Sequence, residues 1–278
     1  STQSRSSAAS DVYKRQLRDG PGPGGIWADR CAGGRGMVDT TFTTANALYA
    51  RSVNGYAGAA KPRIADLFCG AGGAGMGLHR AGFEVVGFDL KPQPNYPFEF
   101  HHADALEVDL RGFDAVWASP PCQFYSRLRY LPWLRGRVYW RSIPPTREHV
   151  LASGLPYIIE NVQDARWDME NPSVLCGMAL GIPLYRHRAF ESPFLVLAPP
   201  HVKHTQVIAS GRASLAKRRH GNQGFKEISR NSIAGYVAGV ERIRKVMGID
   251  WMTRNELAQA IPPAYSECLG KQLMTVLS

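Results

Sequence analysis

Residues 62–90 read "PRIADLFCGAGGAGMGLHRAGFEVVGFDL". "PRIADLF" is a short apolar run of strand type, "CGAGGAG" is a glycine-rich turn, "MGLHRAG" has helical spacing, and "FEVVGFDL" is a second apolar strand with Asp89 at its tip. A strand, a glycine turn, a helix and a strand ending in an acid make the unit that binds dinucleotide or nucleoside cofactors. The glycines let the backbone approach the ligand, and the terminal acid accepts hydrogen bonds from ribose hydroxyls. A glycine turn alone also serves as a plain connector, so Asp89 carries the cofactor reading.

Three further runs extend the pattern. "FEFHHADAL" leads to Asp104, "FDAVWASPPCQ" ends in two prolines and Cys122, and "LPYIIENVQD" closes on Glu160 and Asn161. Ligands of open α/β sheets collect at the carboxyl ends of the strands, so these polar groups are expected to converge on one crevice. The predicted fold class is α/β with a Rossmann-like sheet. A chain of 278 residues with 44% hydrophobic content can fill one large domain, or a domain with a small appendage.

The rest of the chain sets the boundaries. Residues 1–36, rich in Ser, Gly and Arg and without apolar periodicity, are read as a disordered, non-native leader that resembles translated adapter read-through, with Met37 as a sensible start. The catalytic and cofactor-binding domain is placed at 37–197, a small basic recognition region at 198–250, and closing helices at 251–278. In the last part, Thr253 with Glu256 predicts a capping box, and Pro262 and Pro263 predict a break before the final helix. No apolar run is long enough for a bilayer and the start lacks the order of a signal peptide, so a cytoplasmic protein with no membrane contact is expected.

Net charge is +10, with a pI near 9.6, and two stretches hold much of it. Phe124 to His149 carries Arg127, Arg129, Arg135, Arg137, Arg141 and Arg147 against Glu148 alone, interleaved with Tyr125, Tyr130, Trp133, Tyr139 and Trp140. Ala198 to Asp250 carries ten Lys or Arg residues, "KRRH" among them, against three acids. A charge run is often only a solvated face, but mixed with aromatics it offers both phosphate contacts and base stacking. A polyanionic partner is therefore expected.

The five cysteines, Cys31, Cys69, Cys122, Cys176 and Cys268, show no paired spacing, so neither a disulfide framework nor a metal site is predicted. Cys69, Cys176 and Cys268 are read as small buried hydrophobes. Cys122 differs, because Pro120 and Pro121 restrict the backbone before it and a polar, arginine-rich segment follows. A thiol displayed at a strand end suits a nucleophile.

"DLFCGAGGAGMGL" (66–78), "SPPCQ" (119–123), "ENV" (160–162) and "RHRAF" (186–190) occur in that order, and together they resemble the DNA cytosine-5 methyltransferases, the small phage and bacterial members above all. The resemblance covers about residues 61–194 well and "WMTRNELAQAIPPAYSECLGKQL" (251–273) more loosely. It implies that Cys122 attacks C6 of a cytosine flipped out of duplex DNA. Glu160 would hold N3 and the exocyclic amine, with Asn161 bracing the loop, and Arg188 and Arg186 would grip the phosphate or the base. The implied cofactor is S-adenosylmethionine, with Phe68 against adenine, Gly70, Ala71, Gly72 and Gly73 beside the methionine half, Asp89 and Leu90 at the ribose, Asp104 at the adenine amine, and Pro120 adding a backbone contact. Gln123, Ser126, Arg127, Arg129, Lys217, Arg218 and Arg219 are the implied DNA contacts. The alternatives are an RNA cytosine methyltransferase built from the same motifs and a silent DNA-binding relative. The protein is expected to be a monomer.

Three departures from the family pattern stand out. Leu184 and Tyr185 replace the expected Pro-Gln continuation before "RHR", the segment between the two matched regions is short, and Lys271 follows Gly270 where an asparagine is expected. A short recognition segment predicts a short or relaxed target sequence. If Lys271 borders the sulfonium methyl, its ammonium disfavours ordinary S-adenosylmethionine and favours a donor with a negative group, carboxy-S-adenosylmethionine, giving 5-carboxymethylcytosine. A lysine turned to solvent or to a DNA phosphate is the plainer alternative.

Overall fold

The computed structural model describes residues 60–134, 136–201, 204 and 240–278. The expected leader, the segment up to residue 59 and most of the basic recognition region, with Lys217, Arg218 and Arg219, lie outside the described residues.

Strand β1 (Arg63–Leu67) runs into the glycine turn and helix α1 (Gly73–Ala81), followed by β2 (Glu84–Asp89), so the opening unit forms as its sequence pattern predicts. The chain continues through β3 (Glu99–His102), β4 (Ala115–Ala118), α2 (Ile143–Ser153), β5 (Tyr157–Val162), β6 (Ser173–Cys176) and β7 (His187–Glu191). Helices α3 (Val240–Met247), α4 (Arg254–Gln259) and α5 (Pro263–Leu277) close it. The sheet has the order β3-β2-β1-β4-β5-β7-β6, parallel from β3 to β5, with β7 antiparallel to both its neighbours.

Nearly continuous apolar strands are what a sheet buried on both faces requires. Ala65, Leu67, Val86, Phe88, Val116, Ala118 and Ile159 pack with Ile143 and Val150 of α2 on one face. Ile64, Val85, Trp117, Ile158 and Phe190 pack with Leu78 of α1 and Tyr265, Leu269 and Leu273 of α5 on the other. Small residues let α1 and α5 touch. A Cβ on Gly77 would fall 2.1 Å from Pro263 O and Ser266 Oγ, and one on Gly270 would fall 2.8 Å from Ala81 Cβ.

The capping box at Thr253 and Glu256 is present, and Pro262 and Pro263 do separate α4 from α5. Of the helix-like run "IAGYVAGVERIRKVM", the described part is helical from Val240 to Met247. No helix among the described residues is long and apolar enough to cross a membrane.

Candidate active site

The glycine turn sits where β1 delivers it. Phe68 is left-handed at φ 57 and Gly70 at φ 50, and Gly70 N donates to Asp89 Oδ2 at 3.0 Å, tying the turn to the tip of β2. Asp89 Oδ1 accepts from Lys91 N at 2.9 Å. Burial raises the pKa of Asp89 against the pull of these donors. Each carboxylate oxygen has further lone pairs, so a ribose can still be taken at this tip. Backbone crowds the turn from behind: a Cβ on Gly73 would meet Ile261 O at 2.4 Å, and Trp251 Nε1 donates to Ala71 O at 2.8 Å. Phe68, buried, packs its ring 6.2 Å from that of Trp140, and half-buried Leu90 follows Asp89. Asp104 is buried past β3 and accepts from Leu106 N at 3.1 Å. The residues expected to hold the cofactor therefore cluster, apart from one.

That one is Lys271, and it is a correction. The part of the C-terminal segment that approaches the glycine turn is Ala260–Ile261, against Gly73. Gly270 instead packs on Leu78 and Ala81, at the far end of α1. Eight residues of helix separate Pro263 from Lys271, about 12 Å at the rise of an α-helix. Lys271 Nζ lies 2.7 Å from Glu267 Oε1, one turn back along α5. The lysine on which a carboxylated donor rested does not border the turn.

Cys122 stands on a loop pinned at three successive carbonyls. Pro120 O accepts from Asn161 Nδ2 at 3.0 Å, Pro121 O accepts from Ser142 Oγ at 2.8 Å, and Cys122 O accepts from Tyr125 N and Ser126 N at 3.0 and 2.9 Å. Prolines have no N–H to contribute, so Pro120 and Pro121 can be fixed only through their oxygens. Asn161 braces the loop, in the role expected of it. The Cys122 thiol is half-buried. Burial pushes the Cys69 and Cys268 thiols up, as inert packing cysteines require.

Strand β7 brings a cationic pair to Glu160. Register Val162↔Arg188 and Glu160↔Phe190 puts Arg188 on the same sheet face as Glu160, and Arg188 Nε lies 3.2 Å from Glu160 Oε1. Burial raises the Glu160 pKa, opposed by Arg188, Arg186 and a hydrogen bond from Ser119. Arg186 is 7% exposed, and burial beside Arg188 lowers its pKa to about 9 while Glu160, Tyr265 and Cys122 pull it up. Among the described residues, Arg186 Nε and Nη1 have no hydrogen-bond partner. Two buried guanidiniums share one buried carboxylate, next to a thiol. Such a site is incomplete without an acceptor-rich ligand.

The basic segment after Cys122 is only in part a free surface. Arg147 makes a bidentate pair with buried Glu191, with both contacts at 2.6 Å, and Arg141 pairs with Asp168, so these two serve the fold. Arg127 pairs with Asp164 at 3.1 Å yet stays largely exposed, and Arg129 lies over Phe124 and Tyr130. Gln123 is exposed and Ser126 caps the 3₁₀ turn Arg127–Tyr130. Tyr130, Trp133 and Trp167 are each more than 60% exposed, a group of flat apolar faces beside the arginines.

Sequence reading missed Asp66, which is fully buried, accepts from Tyr96 OH at 3.0 Å and has its pKa raised to about 7 by burial. It also missed a gathering of Cys176, His187, His201 and His204, whose only linear sign is the short spacing of the last two histidines.

No family model matches the chain. A frog virus 3 (isolate Goorha) protein assigned as a probable DNA (cytosine-5)-methyltransferase is 33% identical over 123 residues, which is 40% of this chain and 53% of that protein. Over that stretch the chain is similar to a DNA (cytosine-5)-methyltransferase. It spans about half the length of that viral relative. In fold it matches an E. coli prophage protein assigned as a DNA modification methyltransferase, at TM-score 0.50 and 14% identity over 78% of this chain and 99% of the other. The Entamoeba histolytica methyltransferase EhMeth matches equally, at TM-score 0.50 and 14% identity over 79% and 99%. The sheet and its helices thus have the Rossmann-like methyltransferase fold.

Proposed function

We propose that the protein is a DNA cytosine-C5 methyltransferase that uses S-adenosylmethionine and a covalent bond from Cys122. The observation that carries this reading is the pinned "PPC" loop beside a buried Glu160 with two guanidiniums, at the carboxyl ends of the same parallel strands that carry the glycine turn and Asp89. When bound, S-adenosylmethionine supplies an electrophilic methyl group. Phe68 and the glycine turn would hold it, with Asp89 at the ribose and Asp104 at the adenine.

A cytosine must leave the stack before a thiolate can meet its ring face. Cys122 adds to C6, and the electron pair moves toward C5. Glu160, with its raised pKa, can share a proton with N3 and so accommodate the charge that the addition drives into the ring. Arg186 has two unpartnered donors for the base or its phosphate, and Arg188 orients Glu160. Once C5 has taken the methyl group, which leaves S-adenosylhomocysteine, a base such as a water molecule removes the C5 proton. The C–H electron pair restores the C5–C6 double bond, and the C6–S bond breaks to release Cys122 as thiolate. Holding both reactants rigidly supplies a large part of the rate.

Exposed Tyr130, Trp133 and Trp167 beside Arg127 and Arg129 would face the nucleic acid. Lys217, Arg218 and Arg219 would add phosphate contacts, and the short recognition region suits a short target sequence. The test is mass spectrometry of nucleosides from duplex DNA and from transfer RNA, each incubated with the protein and methyl-labelled S-adenosylmethionine. Labelled 5-methylcytosine from DNA, lost in Cys122→Ala, supports the proposal. Label confined to RNA, or persisting in Cys122→Ala, overturns it.

A further inference from the structure

We infer that Cys176, His187, His201 and His204 form a zinc site that clamps the chain leaving β7 onto the edge of the sheet. One ligand atom from each residue lies within 4.8 Å of every other. Cys176 Sγ is 3.3 Å from His204 Nε2, and His187 Nε2 is 2.9 Å from His201 Nε2. Ligands at about 2.0–2.3 Å around a tetrahedral centre stand roughly 3.3–3.7 Å apart, so small shifts, the His187–His201 pair opening and the widest pairs closing, complete the polyhedron.

The framework holds two of the ligands before any metal arrives. Cys176 ends β6 and His187 begins β7, and the two are directly opposed in the antiparallel ladder, so their side chains project from the same face. The other two come from the chain beyond β7, three residues apart. The three imidazole rings lie 4.9–5.1 Å from one another, and Tyr185 stacks on His204 at 3.9 Å with 6° between the planes. Tyr185 is one of the residues that departs from the family pattern, and here its ring orients a ligand. One thiolate and three imidazoles, with no carboxylate, form a donor set for a borderline-soft ion in four-coordinate geometry, and zinc is the first-row ion it suits best. Four protein ligands leave no open position, so the site is structural.

Its placement gives it a consequence. His187 lies between Arg186 and Arg188 and points away from the face that carries Arg188 and Glu160. Fixing His187 fixes the register of β7, and through it the two guanidiniums. His201 and His204 stand at the entrance to the basic region, so the same ion fastens the start of that region to the sheet.

The experiment uses the full chain, purified without chelator and gel-filtered, with zinc measured by plasma mass spectrometry. About one zinc per chain is expected, falling at least fivefold in Cys176→Ala and in the double variant His201→Ala/His204→Ala, which changes only half-buried or exposed positions. Cobalt(II) exchanged into the protein should give the visible bands of a tetrahedral ion and a thiolate charge-transfer band that Cys176→Ala removes. Removing zinc should lower the melting temperature of the native chain by roughly 5 °C or more and leave that of the double variant unmoved. Zinc near zero with no thermal shift on adding Zn²⁺, or zinc undiminished in both variants, would overturn the inference.

Discussion

Arg186→Met should make the folded protein more stable while stopping methyl transfer. In the fold Arg186 is buried, its Nε and Nη1 lack partners among the described residues, and its neighbour Arg188 repels it. A guanidinium whose pKa falls from its ordinary value to about 9 is disfavoured by the folded state by roughly 5 kcal/mol at most. Methionine fills similar length without charge, so part of that penalty returns as stability, on the order of 1–3 kcal/mol. The sign follows from linkage. A base with a depressed folded pKa carries its full penalty below that pKa, so the gain is complete at pH 7 and shrinks as pH rises above about 9. Denaturant melts of both proteins at pH 7.0 and pH 9.5 read the difference directly, and a heat melt should shift by about 2–4 °C per kcal/mol. A loss of about 3–5 kcal/mol in Arg186→Met would mean that Glu160 and Cys122 stabilise the cation more than burial penalises it, and would refute the reasoning.

Other outcomes follow from single contacts. Asp66, with its pKa raised to about 7 by burial, favours the folded state as a neutral acid, and that advantage is lost as pH rises from about 4 through 7. Asp66→Asn should therefore flatten the stability profile over that window and gain up to roughly 4 kcal/mol at pH 8, read by urea melts across pH. Arg147→Met leaves buried Glu191 without its bidentate partner and should lose about 3–5 kcal/mol in the same assay at pH 7, with little change in binding of a DNA duplex by the folded fraction. Lys271→Asn removes one i,i+4 ion pair and should change stability by less than about 1 kcal/mol, with methyl transfer from S-adenosylmethionine unaltered in a labelled-donor assay.

The site was legible in the sequence where one short run both builds an element and ends it in a functional group. The run from Ile64 to Asp89 holds apolar strands, a turn that only glycines fit and a terminal acid, so β1, α1, β2 and Asp89 could be placed together. The prolines before Cys122 announced a displayed residue in the same way. What escaped depends on distant pairing. β6 and β7 are 4 and 5 residues long, and "HRAFE" carries charges inward that make sense only beside Glu160, for Arg188, and beside Arg147, for Glu191. The arginines of the basic stretch look alike in sequence, yet Arg147 finds a buried carboxylate 44 residues away while Arg127 stays in solvent. Lys271 was misplaced because spacing to a glycine does not reveal which glycine meets the cofactor turn, and Gly270 is consumed by the contact of α5 with Ala81. The histidines escaped because the ladder that opposes Cys176 to His187 is a tertiary fact.

In the proposed reaction Cys122 bonds to C6 of cytosine. Duplex oligonucleotides carrying 5-fluorocytosine, incubated with the protein and S-adenosylmethionine, hold a fluorine at C5 that cannot depart as a proton, so the thioether should persist. Denaturing electrophoresis followed by peptide mapping is predicted to show a one-to-one adduct on the peptide containing Cys122, absent in Cys122→Ala and in the absence of donor. Methylated cytosine formed on ordinary DNA with no adduct on the fluorinated duplex, or an adduct mapped to another residue, would contradict the account.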